Sequence, residues 1–389
     1  MTLAMDERRI ARRGNRAAGT GAPRVMFAGG GTGGHLFPGI AVARALVRRH
    51  PQAYVVFVGT GRGIEERALA REGFPFEPIR TTGLVGKSPL AVARTVGMAP
   101  LTLCDAARVL RRARPDLVIG LGGYSAGPVV LLAALAGRST MVMEQNAVPG
   151  MTNRMLAPLV RAAAVSFETT SSCFGAKAFL SGNPVREGFF DVANVERAGR
   201  TGPSTVLVLG GSQGAHALNV ALAGAAGVLA AAPGGVRIIH QTGAHDLDRV
   251  RAAYRQAGVN ARVAAFFEIM HEEMRAADLV ICRAGATTLA EVAAAGLPAV
   301  VVPLPTAAND HQRRNAAVLV AAGAAEVIEE VDLERCLAPR MIALAGDRER
   351  RAAMSAAAGR LAKRDAADRV LQRAEQLMGC AGAVAGAER

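Results

Sequence analysis

The sequence predicts an α/β protein of two Rossmann-like domains, each built on a parallel sheet, that face each other across a cleft. Its length of 389 residues suits two domains of ordinary size. Short β-branched runs alternate with longer Ala/Leu/Arg segments, a pattern typical of βαβ units. Two glycine-rich turns, which begin at Gly29 and Gly210, each follow a predicted strand and precede a predicted helix. Together these observations indicate two similar halves.

The predicted elements form one series in each half. The first series of strands comprises Arg24–Ala28, Tyr54–Val58, Leu117–Gly120, Thr140–Glu144 and Ala163–Phe167. The second comprises Thr205–Leu209, Val236–His240, Arg262–Ala265, Leu279–Cys282, Ala299–Val302 and Glu326–Ile328. Predicted helices include Gly39–Arg49, Gln213–Ala232, Thr287–Ala295, Asp310–Ala322 and a last long helix at about Arg348–Met378. Each strand thus leads into a helix, as parallel sheets require.

The domain boundary is predicted within Ser181–Pro203, where Gly, Pro and charged residues interrupt the pattern. Residues 1–22 are Arg-rich and lack the apolar core of a secretory signal, so we expect a disordered basic tail. Residues 23–185 should then form the N-terminal domain and residues 186–361 the C-terminal domain. A helix at about 362–378 is expected to pack back on the N-terminal domain.

Composition limits the partners and the compartment. The net charge of +14 favours polyanions, whether nucleic acid, anionic lipid or phosphorylated substrates. Aromatic residues make up only 4% of the chain, which argues against single-stranded nucleic acid as the partner. The five cysteines are scattered, so they predict neither a disulfide framework nor a zinc site and fit a reducing cytoplasm. No apolar run is long enough to predict a membrane-spanning helix.

The first glycine loop, Gly29–His35, has the composition of an anion site. Its backbone N–H groups and the following helix N-terminus can both face a phosphate. The loop formally matches G-x-G-x-x-G, which would favour a dinucleotide if an acidic residue ended the second strand. That strand ends instead in Gly59 and Thr60. The sequence therefore disfavours NAD and leaves a different phosphorylated ligand.

The second glycine loop, Gly210–Ala215, carries Ser212 where a dinucleotide fingerprint has its second glycine. Such a loop can hold a diphosphate, with the Ser212 hydroxyl as an extra donor, or can be a plain tight turn. Because two loops open two matched domains, ligand binding in the cleft between them is favoured.

Two further polar segments follow strands of the second half. In Cys282–Glu291, Glu291 lies inside a predicted helix, where its carboxylate could accept hydrogen bonds from a ribose diol or simply face solvent. In Asn309–Asn315, Asn309 or Asp310 can cap a helix. Gln312 would face the same cleft, although capping and surface polarity also explain this segment.

In order, these motifs resemble the MurG family of glycosyltransferases, family 28. The residues that carry the resemblance are the two loops, Met143–Asn146, Ser181–Arg186, Arg283–Ala286 and Glu291–Pro298. The resemblance implies a GT-B fold and transfer of N-acetylglucosamine from UDP-N-acetylglucosamine to the C4 hydroxyl of lipid I, with inversion, which forms lipid II for peptidoglycan. It implies no cofactor and no metal for nucleotide binding.

The resemblance also assigns roles to residues. The sugar diphosphate is expected to contact Thr32, Gly33, Gly34 and Asn146, and its phosphates Arg186 and Ser212. The backbone near Phe267 would hold the uracil; Ala286, Thr287 and Thr288 would line the phosphate–ribose pocket; Glu291 would bind the ribose and Gln312 the sugar hydroxyls. His35 is the candidate general base, since imidazole titrates near neutrality. Glu144 and Tyr124 are secondary candidates for acceptor contact or proton relay.

A lipid-linked acceptor implies a peripheral enzyme on the cytoplasmic face of the bacterial inner membrane. The apolar, Arg-containing stretch Pro89–Arg114 suits an interfacial helix on anionic lipid, or equally a core-packing helix with a basic end. The family's usual aromatic anchors are absent from this stretch. Val85 stands in Gly83–Lys87 where Arg is usual in the family, and Phe267 stands where Ile is usual. Expected partners also include a cell-wall synthesis complex but no nucleic acid.

Three other functions stay open on the sequence. Another UDP-sugar transferase and a UDP-N-acetylglucosamine 2-epimerase share the same overall pattern, although the epimerase needs further carboxylates in the cleft. A catalytically idle UDP-sugar-binding protein of the cell-wall machinery is the third.

Overall fold

A computed structural model of the chain describes residues 22–61, 63–81, 97–193, 202–211 and 214–380. Two α/β units each surround one parallel sheet, of seven and six strands respectively. The predicted GT-B class, two Rossmann-like units, is thereby confirmed. We call the unit of the first sheet the N-terminal domain and the unit of the second the C-terminal domain.

The first sheet has the strand order β3-β2-β1-β4-β5-β6-β7. Its strands are β1 Arg24–Gly29, β2 Tyr54–Gly59, β3 Phe76–Pro78, β4 Leu117–Gly122, β5 Ser139–Glu144, β6 Ala162–Val165 and β7 Ala178–Leu180. The helices along this part of the chain are α1 Gly33–Arg49, α2 Gly63–Glu72, α3 Ala99–Ala113, α4 Ala126–Leu135, α5 Met151–Leu156 and α6 Glu187–Ala193, with short 3-10 helices at Glu168–Cys173 and Gly175–Lys177. Both faces of this sheet are apolar and covered by helices, as parallel sheets require.

The second sheet has the order β10-β9-β8-β11-β12-β13. Its strands are β8 Ser204–Leu209, β9 Val236–Gln241, β10 Ala261–Ala264, β11 Leu279–Arg283, β12 Ala299–Val302 and β13 Ala325–Val327. The remaining helices are α7 His216–Gly224, α8 Ala226–Ala230, α9 Leu247–Ala257, α10 Met270–Ala276, α11 Ala286–Ala294, α12 His311–Ala321, α13 Leu333–Gly346, α14 Arg348–Leu361 and α15 Ala366–Met378, with 3-10 turns at Ala308–Asp310 and Glu330–Asp332.

In both sheets the chain reverses its direction of winding beside the first strand. The reversal lies between β1 and β4 in the first sheet and between β8 and β11 in the second. Ligands of doubly wound folds bind in the crevice outside the carboxyl ends of the strands at such points. The first loop follows β1 and the second follows β8, so each glycine loop begins at a ligand-binding position of its sheet.

The structure differs from the predicted elements in four ways. The predicted helix Gln213–Ala232 is divided at Ala225 into α7 and α8. The edge strands β3 and β7 have only three residues each, too few to show a periodic pattern. Helix α1 begins at Gly33, earlier than predicted, and continues through Pro38. The predicted last helix is broken between Leu361 and Ala366 into α14 and α15.

The break sends α15 onto the N-terminal domain, where it packs against α1. Its side chains Val370, Leu371 and Ala374 are buried in the same core as β1 and β5. The carboxylate of Glu375 accepts hydrogen bonds from His50 at 2.8 Å and Arg49 at 3.1 Å. The last helix of the described chain thus completes a domain that begins at the first strand.

Among the described residues, no helix combines the length and apolar character that a bilayer crossing demands. Three parts of the sequence predictions lie outside the described residues. They are the tail before Ala22, the segment Gly83–Lys87, and residues 89–96 of the expected interfacial stretch.

Replacing Leu371 by Ala tests whether α15 stabilises the N-terminal domain. Leu371 is 1% exposed in the shared core, so a cavity should lower the free energy of unfolding of that domain by about 2–5 kcal/mol. Urea unfolding followed by circular dichroism measures the change. The same substitution at Leu135, which is 70% exposed, is the matched control and should change little. Equal effects of both variants would contradict a structural role for the packed helix.

Candidate functional site

The first loop is a tight backbone turn held against the end of β4. Gly29, Gly30 and Gly31 have positive φ angles of 128°, 151° and 82°, which side chains with a Cβ rarely adopt. A Cβ on Gly29 would also collide with the carbonyl of Gly122. The first turn of α1 then starts at Gly33, so the loop presents backbone N–H groups at a helix N-terminus.

A buried carboxylate that the sequence did not single out supports this loop. Glu65 of α2 is 0% exposed. It accepts hydrogen bonds from the Gly31 N–H at 2.7 Å and the Thr60 hydroxyl at 2.7 Å. It therefore stands beside the end of β2, near where a dinucleotide-binding protein would place its ribose carboxylate, and fixes the loop itself. This use of Glu65 agrees with the expectation that the loop does not bind NAD.

His35 is half-buried at the start of α1 and its ring packs on Gly122. A Cβ on Gly122 would lie 3.0 Å from the His35 Nδ1. That nitrogen lies 3.1 Å from the Oε1 of Gln145, whose Nε2 donates to the carbonyl of Leu121 at 3.2 Å. Because the amide must donate to Leu121, its oxygen faces His35, and the imidazole must donate from Nδ1. The remaining nitrogen, Nε2, is then the one that can accept a proton.

Glu144 is buried at the end of β5 and is fully engaged in hydrogen bonds. Its carboxylate accepts from the backbone and side-chain nitrogens of Asn146, the N–H of Gly150 and the side chain of Asn153, at 2.9 to 3.2 Å. These donors make it a group that orients Asn146. Tyr124, by contrast, follows β4 and is 43% exposed. The geometry thus favours different roles for these two secondary candidates.

A carbonyl of the first loop is bound from the other domain. Pro38 lies inside α1 and has no N–H, so the Gly34 carbonyl lacks its usual helical donor. The Thr287 hydroxyl donates to this carbonyl at 2.6 Å. Asn183 in turn lies 3.3 Å from the same hydroxyl. Two residues that were expected to face the ligand, Gly34 and Thr287, therefore contact each other across the domain boundary.

Asn315 of α12 makes the second contact across this boundary. It is 0% exposed, and its Oδ1 accepts from the Ala147 N–H at 2.9 Å. Its Nδ2 donates to the Oδ1 of Asn146 at 3.2 Å and to the carbonyl of Ala284 at 3.1 Å. A single buried amide thus joins the loop after β5 to the loop after β11. The sequence indicated only that Asn315 belongs to a polar segment, and it did not predict a contact between the domains.

Arg186 and Glu291 form a partly buried pair at the same boundary. Their closest atoms are 3.2 Å apart, and the Arg186 guanidinium lies over the rings of Phe37 and Phe189. Burial raises the pKa of Glu291, although Arg186 acts in the opposite direction. The buried Nε of Arg186 has no hydrogen-bond partner among the described residues. Such an unsatisfied donor suits an anionic ligand that is yet to bind.

The other expected donor-site residues surround β9, β11 and β12. Gln312 uses its Oε1 to accept from the N–H groups of Ala284 at 3.2 Å and Leu304 at 3.0 Å, which leaves its amide NH₂ to donate. The Phe267 N–H already donates to the Gln241 side chain at 2.9 Å. A backbone contact with a base at Phe267 must therefore use its carbonyl.

The remaining predicted residues lie at helix and loop ends. Ala286 and Thr288 are in the first turn of α11, next to Thr287. Thr32 precedes α1 as its N-cap residue, and Gly33 is the first residue of that helix. Ser212 lies outside the described residues.

Comparison with known proteins identifies the family. The model named "Glycosyltransferase family 28 N-terminal domain" matches residues 25–165, and "Glycosyltransferase family 28 C-terminal domain" matches residues 205–370. A protein of Anaeromyxobacter sp. (strain Fw109-5) is 46% identical over 350 residues, which cover 89% of this chain and 91% of that protein. A protein of Myxococcus xanthus (strain DK1622) is 43% identical, with 88% of this chain and 90% of that protein covered. Both are named UDP-N-acetylglucosamine--N-acetylmuramyl-(pentapeptide) pyrophosphoryl-undecaprenol N-acetylglucosamine transferase.

Solved structures agree with this assignment. The crystal structure of Acinetobacter baumannii MurG superposes with a TM-score of 0.70 at 32% identity and covers 91% of this chain and 99% of that one. A UDP-N-acetylglucosamine 2-epimerase at 13% identity, with a TM-score of 0.65 and 92% and 96% coverage, shares the fold alone. The fold, the family models and the named relatives together define a GT-B glycosyltransferase. The chain belongs to glycosyltransferase family 28.

Asn315→Ala tests whether the buried amide holds the two domains together. The substitution leaves the Ala147 N–H and the Ala284 carbonyl without this partner, a cost of roughly 1–3 kcal/mol for each buried group. We expect a more open domain arrangement, seen as a larger radius of gyration in small-angle X-ray scattering. Arg314→Ala, an exposed neighbour on the same helix, is the control. An unchanged radius of gyration in the Asn315 variant would contradict the idea that this amide holds the two domains together.

Proposed function

We propose that the protein transfers N-acetylglucosamine from UDP-N-acetylglucosamine to the C4 hydroxyl of the muramyl sugar of lipid I, forming lipid II. The observation that carries this proposal is the fixed tautomer of His35. The Oε1 of Gln145 accepts a hydrogen bond from Nδ1 of His35 at 3.1 Å, so Nε2 can serve as a base at the ligand-binding edge of the first sheet. The family membership and the names of the relatives support the same donor and acceptor.

The donor is proposed to bind mainly to the C-terminal domain. Arg186 offers its unsatisfied Nε to a phosphate. Glu291 pairs with Arg186 in the structure and can instead accept hydrogen bonds from the ribose hydroxyls. Gln312 presents its NH₂ to the sugar hydroxyls, while the Phe267 carbonyl takes the uracil. Ser212, Ala286, Thr287 and Thr288 belong to the phosphate and ribose contacts. From the N-terminal domain, Thr32, Gly33, Gly34 and Asn146 contact the sugar diphosphate.

Transfer is a single displacement at the anomeric carbon. The acceptor's C4 oxygen bonds to this carbon as the bond from the carbon to the UDP oxygen breaks, so the α-linked donor gives a β-linked product. The C4 hydroxyl proton passes to Nε2 of His35. The leaving diphosphate is stabilised by backbone N–H groups, helix N-termini and Arg186. Glu144 acts by holding Asn146, and the exposed Tyr124 is available to the acceptor.

Binding of the donor must break the contacts that now join the expected ligand residues. The Thr287 hydroxyl donates a hydrogen bond to the Gly34 carbonyl at 2.6 Å, and Glu291 forms an ion pair with Arg186 at 3.2 Å. Each of these partners can be exchanged for a donor or acceptor on the nucleotide sugar. The domains are therefore expected to separate locally for entry and to close again on the bound donor.

The assay that tests the function uses purified protein, labelled UDP-N-acetylglucosamine and a lipid I analogue. We expect a lipid-linked disaccharide and release of one UDP per sugar transferred. Absence of a lipid-linked product would overturn the proposal. Conversion of the donor to its C2 epimer without acceptor would point to an epimerase, and binding of UDP without either reaction would point to an idle binding protein.

His35→Ala should abolish most turnover while UDP binding is retained. Loss of a general base costs roughly 10²- to 10⁴-fold in rate, because no group then accepts the C4 proton. Gln145→Ala should also lower kcat, since the imidazole loses the partner that fixes its tautomer. Transfer rates and UDP affinities by calorimetry separate these effects. His311→Ala serves as the control, because the His311 Nδ1 hydrogen-bonds the backbone carbonyl of its neighbour Ala308. Full turnover by the His35 variant would remove His35 from the base role.

The proposed membrane surface lies on the N-terminal domain. Helices α3 and α5 each adjoin α4, and the three helices expose large apolar side chains. These are Leu101 and Leu103 on α3, Leu135 at the end of α4, Met151 and Met155 on α5, and Leu159 just beyond it. Exposed arginines, including Arg111, Arg138 and Arg154, lie on or beside the same helices. Apolar side chains flanked by arginines suit the headgroup region of an anionic bilayer.

This surface supports attachment at the cytoplasmic face of the bacterial inner membrane, where the enzyme would meet a lipid-linked acceptor. A cell-wall synthesis complex is a further proposed partner. The described part of α3 also contributes to the core, because Ala106, Val109 and Ala113 are buried. Helix α3 therefore packs into the core on one side, and its exposed side is the part that we propose to contact lipid. Nucleic acid is not among the proposed partners.

Met155→Glu should weaken binding to vesicles that contain phosphatidylglycerol. Met155 is 72% exposed, and burying such a side chain in lipid is worth about 1.5–3 kcal/mol, or roughly tenfold or more in affinity. Vesicle sedimentation measures the change. Val331→Glu, at a 91% exposed position of the C-terminal domain, adds the same charge away from the surface and is the control. Equal losses in both variants would mean that net charge alone governs binding.

A further inference from the structure

A cluster of two histidines and an aspartate lies beside the second glycine loop. His216 is the first residue of α7, while His245 and Asp246 precede α9. The Nδ1 atoms of both histidines lie 2.9 Å from the Oδ1 of Asp246. The three candidate ligand atoms all lie within 4.8 Å of one another. The sequence did not indicate a cluster here, because His216 and Asp246 are 30 residues apart.

The aspartate is held by a chain of buried polar groups. Asn219 donates from Nδ2 to the Asp246 Oδ2 at 2.8 Å and to the Thr242 carbonyl at 2.8 Å. The Asn219 Oδ1 lies 3.0 Å from His240 Nε2, and His240 Nδ1 lies 3.0 Å from the Tyr254 hydroxyl. Asn219, His240 and Tyr254 are all buried.

The direction of each hydrogen bond in this chain is fixed. The Asn219 amide donates to the carboxylate, so its oxygen must accept from His240 Nε2. His240 Nδ1 must then accept from the Tyr254 hydroxyl. Burial lowers the pKa of His240 to about 3, so this histidine remains neutral. Every donor in the chain thus points toward Asp246.

The same contacts keep Asp246 ionised. Burial alone raises the pKa of its carboxyl, but hydrogen bonds from Asn219, His245 and His216 outweigh that effect and lower it. The result is a buried anion of fixed orientation beneath two exposed imidazoles. Partners that orient a ligating carboxylate in this way are typical of built metal sites.

We propose that His216, His245 and Asp246 form a site for a divalent transition-metal ion of the zinc class. Two imidazole nitrogens and one carboxylate oxygen are ligands that Zn²⁺ accepts, with bonds of about 2.0–2.2 Å. Neighbouring ligand atoms of a tetrahedral ion at that bond length stand about 3.4 Å apart, so each Nδ1 needs to move only about 0.5 Å from the Oδ1 that it contacts at 2.9 Å.

The proposed site has an open position. The His216 and His245 side chains are 62% and 84% exposed, so a fourth ligand would come from solvent or from a bound anion. Each imidazole would bind the ion through Nδ1 in the tautomer that carries its hydrogen on Nε2. The site is separate from His35 and does not depend on the transferase function.

Metal binding is tested with tag-free, chelator-treated protein titrated with Co²⁺, which reports its ligands by visible absorption. We expect one Co²⁺ per chain, displaced by Zn²⁺, with a spectrum that lacks thiolate charge-transfer bands because no cysteine belongs to the site. His216→Ala and His245→Ala should each weaken binding at least tenfold. His311→Ala is the matched control and should bind as the unaltered protein does.

Three outcomes would overturn the proposal. They are no Co²⁺ binding, binding that either folded variant leaves unchanged, and a spectrum with thiolate bands. Circular dichroism of each variant checks that the fold persists, which is expected because both histidines are at the surface. A fully folded His245 variant with unchanged affinity would be decisive against the site.

Discussion

The arrangement of the two domains depends on one backbone carbonyl that its own helix cannot satisfy. Pro38 deprives Gly34 of a helical hydrogen bond, and the hydroxyl of Thr287 supplies the bond from the opposite domain. Contact with Thr287 removes this carbonyl from water and at the same time gives it a donor, so this gap in α1 is compatible with contact between the domains. The same carbonyl belongs to the loop that is expected to face the nucleotide sugar. The Thr287 hydroxyl and a bound nucleotide sugar would therefore compete for the same carbonyl oxygen.

Around this contact, buried amides and carboxylates determine which polar atoms remain available. Glu65 holds the first loop, Glu144 holds Asn146, and Gln145 fixes the tautomer of His35. Asn315 then joins the Asn146 segment to the C-terminal domain. None of these side chains needs to touch the substrate in order to matter, because each sets the orientation of a group that does. This is the supporting layer that precise active sites require.

The sequence predicted the fold well because long-range order in a doubly wound sheet follows from local alternation. Buried strands such as β1 and β8 are continuous apolar runs, and each leads into a glycine turn. The three-residue strands β3 and β7 were missed because their pairing comes from the neighbouring strand and leaves no periodic pattern. The break before α15 was missed for a related reason. Residues 362–365 are compatible with a helix, and packing on the N-terminal domain decides otherwise.

Roles that depend on position in space were harder to predict than roles carried by motifs. His35 and Glu291 stand in recognisable segments, whereas Glu65 and Asn315 act through partners 34 and 169 residues away. A polar residue inside a helix has the same appearance in sequence whether it is capping, exposed or bound across a domain boundary. The pairing of Arg186 with Glu291 likewise could not follow from the separate ligand roles expected for them.

The docking of α15 onto α1 also bears on how the chain folds during synthesis. The core of the N-terminal domain includes Val370 and Leu371, so this domain lacks part of its interior until α15 has been made. Up to that moment, the apolar side of α1 that faces α15 is open to water or to chaperones. The C-terminal domain contains β8 to β13 and α14, and all of these are synthesised before α15. The N-terminal domain is therefore expected to consolidate only after α15 has been synthesised, later than the elements of the C-terminal domain.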